Sequence, residues 1–167
     1  KYDKAIELYN QSKQISSSGH WAQESELSSL QIRILRALDS WSFDTAQNLI
    51  NSLISGFSDN QRMPEVLLSI AERYRWAGRY NEVEDIYNMV MQQYSDSKAA
   101  GEADMDIAIV NTLSMIEPGN INAAEVAIGN LIGDLAGDER LPETIALIGE
   151  QYYSKGAGLE GKGKFEE

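Results

Sequence analysis

The chain contains no cysteine and only one histidine, and these two shortages remove several kinds of chemistry. Without thiols there are no disulfides, no thiolate nucleophiles and no cysteine-ligated zinc, and the composition fits a cytosolic or an exported protein. One histidine is too few for a histidine-rich metal centre. Any Ser-His-Asp triad would have to use His20, which lies in a serine-rich connector, residues 16–20, with no identifiable partners. We therefore expect no metal, no cofactor and no catalytic centre.

Basic residues and long apolar runs are also scarce. The sequence has 14 lysines and arginines against 26 aspartates and glutamates, and its formal net charge is −12 at pH 7. Such acidity opposes approach to nucleic-acid phosphates and to anionic lipid surfaces. No apolar run comes near the roughly 18 residues of a membrane-spanning helix. We expect no nucleic-acid partner and no direct membrane insertion, and we expect any protein or peptide partner to be neutral or basic.

What the sequence does contain is an internal repeat. Residues 43–78 align without a gap with residues 121–156, at an offset of 78, and 11 of the 36 paired positions are identical. The clearest match sets Met-Pro-Glu-Val-Leu-Leu-Ser-Ile, from Met63, against Leu-Pro-Glu-Thr-Ile-Ala-Leu-Ile, from Leu141. Repeats of this kind form stacked arrays in which each unit buries its apolar face on its neighbours. With 43% hydrophobic residues, the chain can build such a core.

A shorter period of 37 to 44 residues lies within the longer one. Each unit opens with an aromatic or aliphatic residue followed by Asp, Asn or Glu, and apolar residues then follow at steps of three and four. Such steps place side chains on one side of an α-helix, whereas a strand would need alternation. We predict an all-α chain with a single repeat domain over residues 1–167, a segment of a longer solenoid because both ends fall inside units. The units open at Tyr2, Phe43, Tyr80, Ile121 and Phe165.

Proline and glycine mark the predicted helix boundaries. Pro64-Glu65 and Pro142-Glu143 predict helix starts, because the first turn does not use the N–H that proline lacks, and because glutamate faces the positive end of the helix dipole. Glycines predict helix ends, because they adopt the left-handed stop conformation without strain. The predicted ends lie at Gly56, Gly78 and Gly156.

The segment from Gly78 to Val90, Gly-Arg-Tyr-Asn-Glu-Val-Glu-Asp-Ile-Tyr-Asn-Met-Val, resembles the second half of a tetratricopeptide repeat. In that family a glycine is followed two places on by an aromatic residue, and then by small or aromatic residues at steps of three, four and three. Units of 37 to 44 residues exceed the usual length of the family. Related arrays such as HEAT repeats therefore stay open as an alternative. The matching positions are Gly78, Tyr80, Val83, Tyr87 and Val90.

The resemblance implies a right-handed superhelix of antiparallel helix pairs, whose first helices line a concave groove for peptides or partner surfaces. The family's clamp for a C-terminal carboxylate uses lysine, arginine and asparagine, whereas this groove would present glutamates. We therefore expect it to take neutral or basic peptides. The alternative is that these glutamates form only a solvated helix face. The implied groove positions are Glu65, Leu68, Glu72, Arg75 and Trp76, and in the copy Glu143, Ala146, Glu150, Tyr153 and Ser154.

The glycine-rich run from Gly156 to Gly163 matches G-x-G-x-x-G and is close to a phosphate-binding P-loop. It lacks the serine or threonine that would hold Mg²⁺, and a helix rather than a strand precedes it. We interpret it as a flexible linker between helices. Acidic pairs such as Glu82 and Asp85 are interpreted as surface charge, because no sequence feature ties them to a pocket.

The leading hypothesis is a non-catalytic scaffold for protein–protein interaction, with self-association through exposed terminal hairpins. The alternative is a helical structural or regulatory domain of a larger enzyme whose catalytic part lies outside this segment. RNA reading by helical repeats is disfavoured, because it requires basic faces. The run Tyr94-Ser-Asp-Ser-Lys-Ala-Ala100 resembles connectors in tetratricopeptide proteins of the bacterial envelope. We therefore expect the cell envelope or periplasm rather than the cytoplasm.

Overall fold

The computed structural model describes residues 1–16, 18–116 and 121–160. Within these ranges the chain forms eight α-helices and no strand, which confirms the all-α prediction. The helices are α1 Tyr2–Ile15, α2 His20–Asp39, α3 Phe43–Phe57, α4 Met63–Trp76, α5 Tyr80–Gln93, α6 Lys98–Met115, α7 Ile121–Asp134 and α8 Leu141–Glu160.

The predicted unit openings coincide with helix starts. Helices α1, α3, α5 and α7 begin at the four openings that fall on described residues, and the fifth opening, at Phe165, lies outside them. Pro64 lies in the first turn of α4, as predicted. The agreement arises because an apolar side chain at the first helical position can dock on a neighbouring helix while the acidic or amide residue after it faces the positive dipole end.

One of the predicted helix ends is wrong, and another lies one residue before the observed end. Helix α8 continues through Gly156 to Glu160, and Gly56 lies within the last turn of α3. A glycine permits a left-handed stop but does not force one, because inside a helix it costs only about 1 kcal/mol relative to alanine. The connector at residues 16–20 is also shorter than expected, since His20 is the first residue of α2.

The helices divide into two compact units, residues 1–100 and residues 101–167. In the first unit, α2 packs against α1, α3 and α4, and α4 packs against α5. The apolar stripes predicted from the sequence form the interior of this unit, whereas α1 buries none of its residues. The fully buried large side chains include Leu27, Ile34, Leu53, Met63, Leu67, Ile70, Tyr74, Val83, Tyr87 and Val90.

Polar contacts between α2 and α4 show that these two helices run parallel. The partners lie 34 to 38 residues apart, and their numbers increase together along both helices. An antiparallel pair would show the opposite order, so the two helices point in the same direction. From start to end, the contacts are Arg62 with Glu24 at 2.7 Å, Gln31 with Ser69 at 2.8 Å and Arg73 with Asp39 at 3.6 Å.

Helices α3 and α5 also run in the same direction. Next to their starts, the Arg79 guanidinium lies over the Phe43 ring, 4.8 Å from its centroid. Just beyond their last turns, the Tyr94 hydroxyl donates to the Ser58 carbonyl oxygen at 2.9 Å. Each contact joins residues 36 apart. The hairpin α4–α5 therefore stacks on the hairpin α2–α3 in the same orientation.

The loops inside these two hairpins share one backbone conformation. Trp41 and Gly78 both adopt left-handed φ angles, 57° and 69°. In each loop the next residue donates its N–H to a carbonyl five residues earlier, the bond that closes a Schellman-type helix end. An offset of 37 residues therefore aligns the two hairpins. The closing bonds are Ser42 N–H to Ala37 O at 2.8 Å and Arg79 N–H to Tyr74 O at 2.9 Å.

The second unit reproduces a polar motif of the first. The Arg140 N–H donates to Asp138 Oδ1 at 2.8 Å, and its guanidinium reaches Asp106 of α6 at 3.4 Å. In the first unit, 78 residues earlier, the Arg62 N–H donates to Asn60 Oδ1 at 2.8 Å while its guanidinium binds α2. In both units an Asx turn therefore precedes a helix, and an arginine ties that helix to the one two places before it.

The described interior of the second unit combines apolar side chains with two buried threonines, Thr112 and Thr144. Thr112 of α6 is buried, and its hydroxyl donates to the Ala108 carbonyl oxygen at 2.9 Å. This bond back to the preceding turn allows a threonine at a core position. The buried apolar residues are Ala103, Ile109, Val110, Leu113, Ile116, Ala124, Leu131, Leu135 and Ile148.

Candidate partner-binding surface

The predicted groove residues of α4 lie on one face of the helix, opposite its buried side. Glu65 is exposed, Leu68 and Glu72 are half-buried, and Trp76 in the last turn is 66% exposed. The residues between them, such as Ile70, point into the core. Since an exposed tryptophan presents a large apolar area to water, this end of α4 is the most conspicuous part of the predicted surface.

Three of these predicted residues form a hydrogen-bonded cluster. The Arg75 guanidinium contacts both carboxylate oxygens of Glu72, at 2.8 and 2.7 Å. The Trp76 indole N–H donates to the same carboxylate at 2.8 Å. The cluster restrains the exposed indole, so that less side-chain entropy would be lost when a partner binds there. It also compensates the charge of Glu72, so that Glu65 is the only predicted groove carboxylate of α4 without such a bond to a described residue.

The corresponding positions of α8 are more exposed, and their described side chains form no such cluster. Glu143, Ala146 and Glu150 are exposed, and Tyr153 is 79% exposed. The side chain of Ser154 lies outside the described residues. Tyr153 stands where α4 has Arg75, so the negative charge of Glu150 has no neighbouring arginine at that position. The acidic character predicted for the groove is therefore carried mainly by α8.

Sequence reasoning missed Trp41, which lies in the loop after α2 and is 68% exposed. Its ring meets Phe43 edge-on, with centroids 5.8 Å apart and planes at 84°. Trp41 comes shortly after Asp39, and Trp76 comes shortly after Arg73. Because Asp39 and Arg73 are in contact, the two tryptophans lie at the same end of the parallel pair α2 and α4. This end of the first unit, with Trp41 and Trp76, is called the tryptophan end below.

The backbone at Trp41 gives a reason to associate this residue with function. A left-handed φ costs a residue with a side chain about 1–2 kcal/mol, and the equivalent residue of the next hairpin is glycine. Strain of this kind is retained where a side chain is needed for another purpose. The signal was present in the sequence, because an alignment at an offset of 37 sets Trp41 against Gly78.

In the ranges that the structure describes, no group of three or more His, Asp or Glu side chains is arranged to hold a metal ion. Among the described helices, none combines the length and apolar character needed to cross a membrane. Arg140 reaches Asp106 and Asp138, but both contacts belong to the helix-tying motif described above.

Comparisons with protein-family models, with curated proteins and with solved structures found no match to this chain.

Proposed function

We propose that the chain is a non-catalytic scaffold for protein–protein interaction of the tetratricopeptide type. In this proposal its helix pairs form a right-handed superhelix, and the first helix of each pair presents a partner-binding surface. The observation that carries the proposal is the parallel stack of α2 and α4, with two exposed tryptophans at one end. Stacked hairpins create an extended surface, because each repeat contacts only its neighbours.

The composition of the tryptophan end supports a role in binding. Tryptophan and arginine are enriched among the residues that dominate interface energies, particularly where they are surrounded by contacts that exclude water. Here Trp41 and Trp76 stand beside Arg73, Arg75 and Arg79, each within reach of a carboxylate of its own chain. The arginines are therefore held in place and electrically balanced, and the tryptophans supply the apolar area that a partner would cover.

The proposed partner is a neutral or basic peptide or protein surface. The paired arginines leave the tryptophan end of α4 close to neutral, and the exposed Glu65 adds negative charge along the same helix face. An acidic partner would have to break the Glu72–Arg75 pair or approach Glu65 directly. Since like charges in contact raise the free energy of a complex, acidic partners are disfavoured at this surface.

The experiment is a titration followed by tryptophan fluorescence. The protein is titrated with an acetylated peptide of alternating lysine and leucine and, separately, with its glutamate counterpart. We expect the lysine peptide to shift the tryptophan emission to shorter wavelength and Trp76→Ala to weaken its binding by about 2 kcal/mol, a typical hot-spot effect. Trp41→Ala should weaken the same complex.

The matched control is Trp21→Ala, because Trp21 is also exposed in the first unit but lies at the opposite end of α2. Its removal should leave the lysine-peptide affinity unchanged. If net charge alone attracted the lysine peptide, none of the three substitutions would change its affinity. That result would contradict the proposed surface. Binding of the glutamate peptide that depends on Trp76 would contradict the proposed charge preference.

A further inference from the structure

A second concave feature lies on the other side of α2. Side chains of α1, α2 and α3 surround an open cleft of about 600 Å³. The residues of α2 that line it lie almost opposite those that face α4, such as Glu24 and Gln31, because the helix turns by 3.6 residues. The cleft belongs entirely to the first unit. Its charged and apolar lining residues are Lys13, Glu26, Leu30, Arg33, Leu49 and Phe57.

The next hairpin fills the equivalent space. At the offset of 37 residues that aligns the two hairpins, Ser29 corresponds to Val66 and Arg33 corresponds to Ile70. Val66 and Ile70 are buried in the core of the first unit, whereas Ser29 is half-buried and Arg33 is exposed. Positions that hold buried apolar side chains in the next hairpin therefore hold polar side chains here, and the space between the helices stays open.

Small residues keep the cleft open on its α3 side. Ser52 and Gly56 line this wall, and a Cβ added at Gly56 would meet nothing within 4 Å. An apolar floor remains, formed by Leu30, Leu49 and Phe57. A volume of this size lies within the range of 300 to 1,000 Å³ that is typical of ligand sites, which combine apolar walls with a few polar groups.

The charge inside the cleft is opposite to that of the chain. Lys13 and Arg33 provide two cations against one carboxylate, Glu26, in a protein of net charge −12. Lys13 is bound to Glu26 at 2.9 Å. Arg33 makes no hydrogen bond or ion pair with any residue that the structure describes, so its guanidinium is available to a ligand. A guanidinium with free donors binds a carboxylate through two parallel hydrogen bonds.

The length of the cleft fits a short extended segment. Its lining on α2 runs from Ser25 to Arg33, which is about 12 Å of helix. An extended peptide covers this length with about four residues, at roughly 3.3 Å per residue. Two or three apolar side chains would cover the floor, and one carboxylate would reach Arg33.

We infer that this cleft binds an acidic peptide segment of another protein, with one carboxylate on Arg33 and apolar side chains on the floor. The site is separate from the tryptophan end and has the opposite charge preference. It gives the scaffold two distinct docking positions within its first unit.

The test is isothermal titration calorimetry with the whole chain and an acetylated six-residue peptide of alternating leucine and glutamate. We expect this peptide to bind, and its glutamine counterpart to bind at least about tenfold more weakly, because one charge-assisted hydrogen-bond pair is lost. Arg33→Gln should cause a loss of similar size. Gly56→Leu should abolish binding by filling the cleft, and the helix should tolerate it because leucine is a better helix former than glycine.

Arg36→Gln is the matched control, because Arg36 lies on the same helix but is bound to Asp3 and does not line the cleft. This variant should bind the glutamate peptide as well as the unsubstituted chain. The inference is overturned if the peptide does not bind, or if Arg33→Gln and Gly56→Leu leave its affinity unchanged. It is also overturned if succinate binds as tightly as the peptide, which would indicate a site for small dicarboxylates. Trp76→Ala should have no effect on this complex, which separates the outcome from that of the tryptophan end.

Discussion

The two units use the same repeat with different residues. Residues 1–100 contain 10 lysines and arginines against 13 acidic residues, whereas residues 101–167 contain 4 against 13. The formal charge is thus −3 in the first unit and −9 in the second. All three tryptophans belong to the first unit, and 10 of the 13 glycines belong to the second. The chain therefore concentrates aromatic and arginine side chains in one unit and negative charge and glycine in the other.

The two units nevertheless share the sequence repeat and the polar motif of Arg62 and Arg140. The second unit keeps the apolar spacing and the Arg140 motif, although its helices include glycine at Gly101, Gly129, Gly133 and Gly149. Each helical glycine costs about 0.5–1 kcal/mol relative to alanine. We infer that the apolar stripes and the helix-tying arginines specify the arrangement, while the remaining positions set the stability and the surface of each unit.

The largest difference is expected at a pair of aligned tyrosines. Tyr74 is 1% exposed and stacks on Phe43, so Tyr74→Ala should lower the unfolding free energy of the first unit by about 3–5 kcal/mol. Tyr152, its counterpart in the second unit, is half-buried, and its hydroxyl has no hydrogen-bond partner among the described residues. Tyr152→Ala should therefore cost less. Hydrogen exchange resolved by segment measures both effects, and equal losses would remove this distinction between the units.

The Asx turns offer a comparison of intermediate size. Asn60 accepts from the Arg62 N–H and donates to Glu24, both at 2.8 Å, so Asn60→Ala should destabilise the start of α4 by about 1 kcal/mol. Asn60→Asp keeps the acceptor for the Arg62 N–H but replaces the donor to Glu24 with a like charge. Urea denaturation should show a lower unfolding midpoint for both substitutions. If Asn60→Ala left the midpoint unchanged, the turn would not contribute to stability.

Alanine in place of helical glycine should stabilise the second unit. Gly129 and Gly133 are exposed, and a Cβ at either position would meet nothing within 4 Å. Gly129→Ala and Gly133→Ala should each raise the stability of α7 by about 0.5–1 kcal/mol. Gly78→Ala is the opposite control, because its φ of 69° disfavours a side chain and should make the substitution destabilising. Thermal unfolding would record a rise for the first two variants and a fall for the third.

The smallest effect is expected in acid, at the turn before α8. The Arg140 N–H, and then its guanidinium, hold the pKa of Asp138 below its usual value. Because the folded-state pKa is lowered, the ionised group stabilises the fold above about pH 3.9, and this contribution is lost as the pH falls through the folded-state pKa. Asp138→Asn keeps the acceptor oxygen but removes the titration. Hydrogen exchange of residues 131–140 should therefore depend less on pH in this variant, and an unchanged profile would contradict the assignment.

In the first unit, Glu24 adds a titration of the same sign. Its pKa is lowered by hydrogen bonds from Asn60 and then from Arg62. Its stabilising effect is likewise present above the unfolded-state value and lost as the pH falls through the lowered value. This is why the measurement on Asp138 must be resolved by segment.

Much of the fold could be predicted from local signals, but the candidate surfaces could be predicted only in part. The tetratricopeptide resemblance implied the groove positions of α4, among them Trp76, which the structure shows to be exposed. The Glu72 cluster follows from spacings of three and four residues along one helix. Trp41 and Arg33 were missed, because their roles depend on how the hairpin α2–α3 differs from the hairpin α4–α5. The error at Gly156 has another cause, since a glycine leaves a helix free either to stop or to continue.

The linear sequence was enough to predict the helical class, the starts of α1, α3, α5 and α7, and the residues that form the apolar stripes. These features depend on the 3.6-residue period and on the preferences of a few neighbouring residues, both of which are visible in a linear chain. Side-chain packing in the folded chain sets three further features: the parallel order of α2 and α4, the exposure of Trp41 in a left-handed conformation, and the position of Arg33 at an open cleft. The first of these depends on contacts between residues 34 to 38 apart, and the distance between two packed helices depends on the volumes of all the side chains between them.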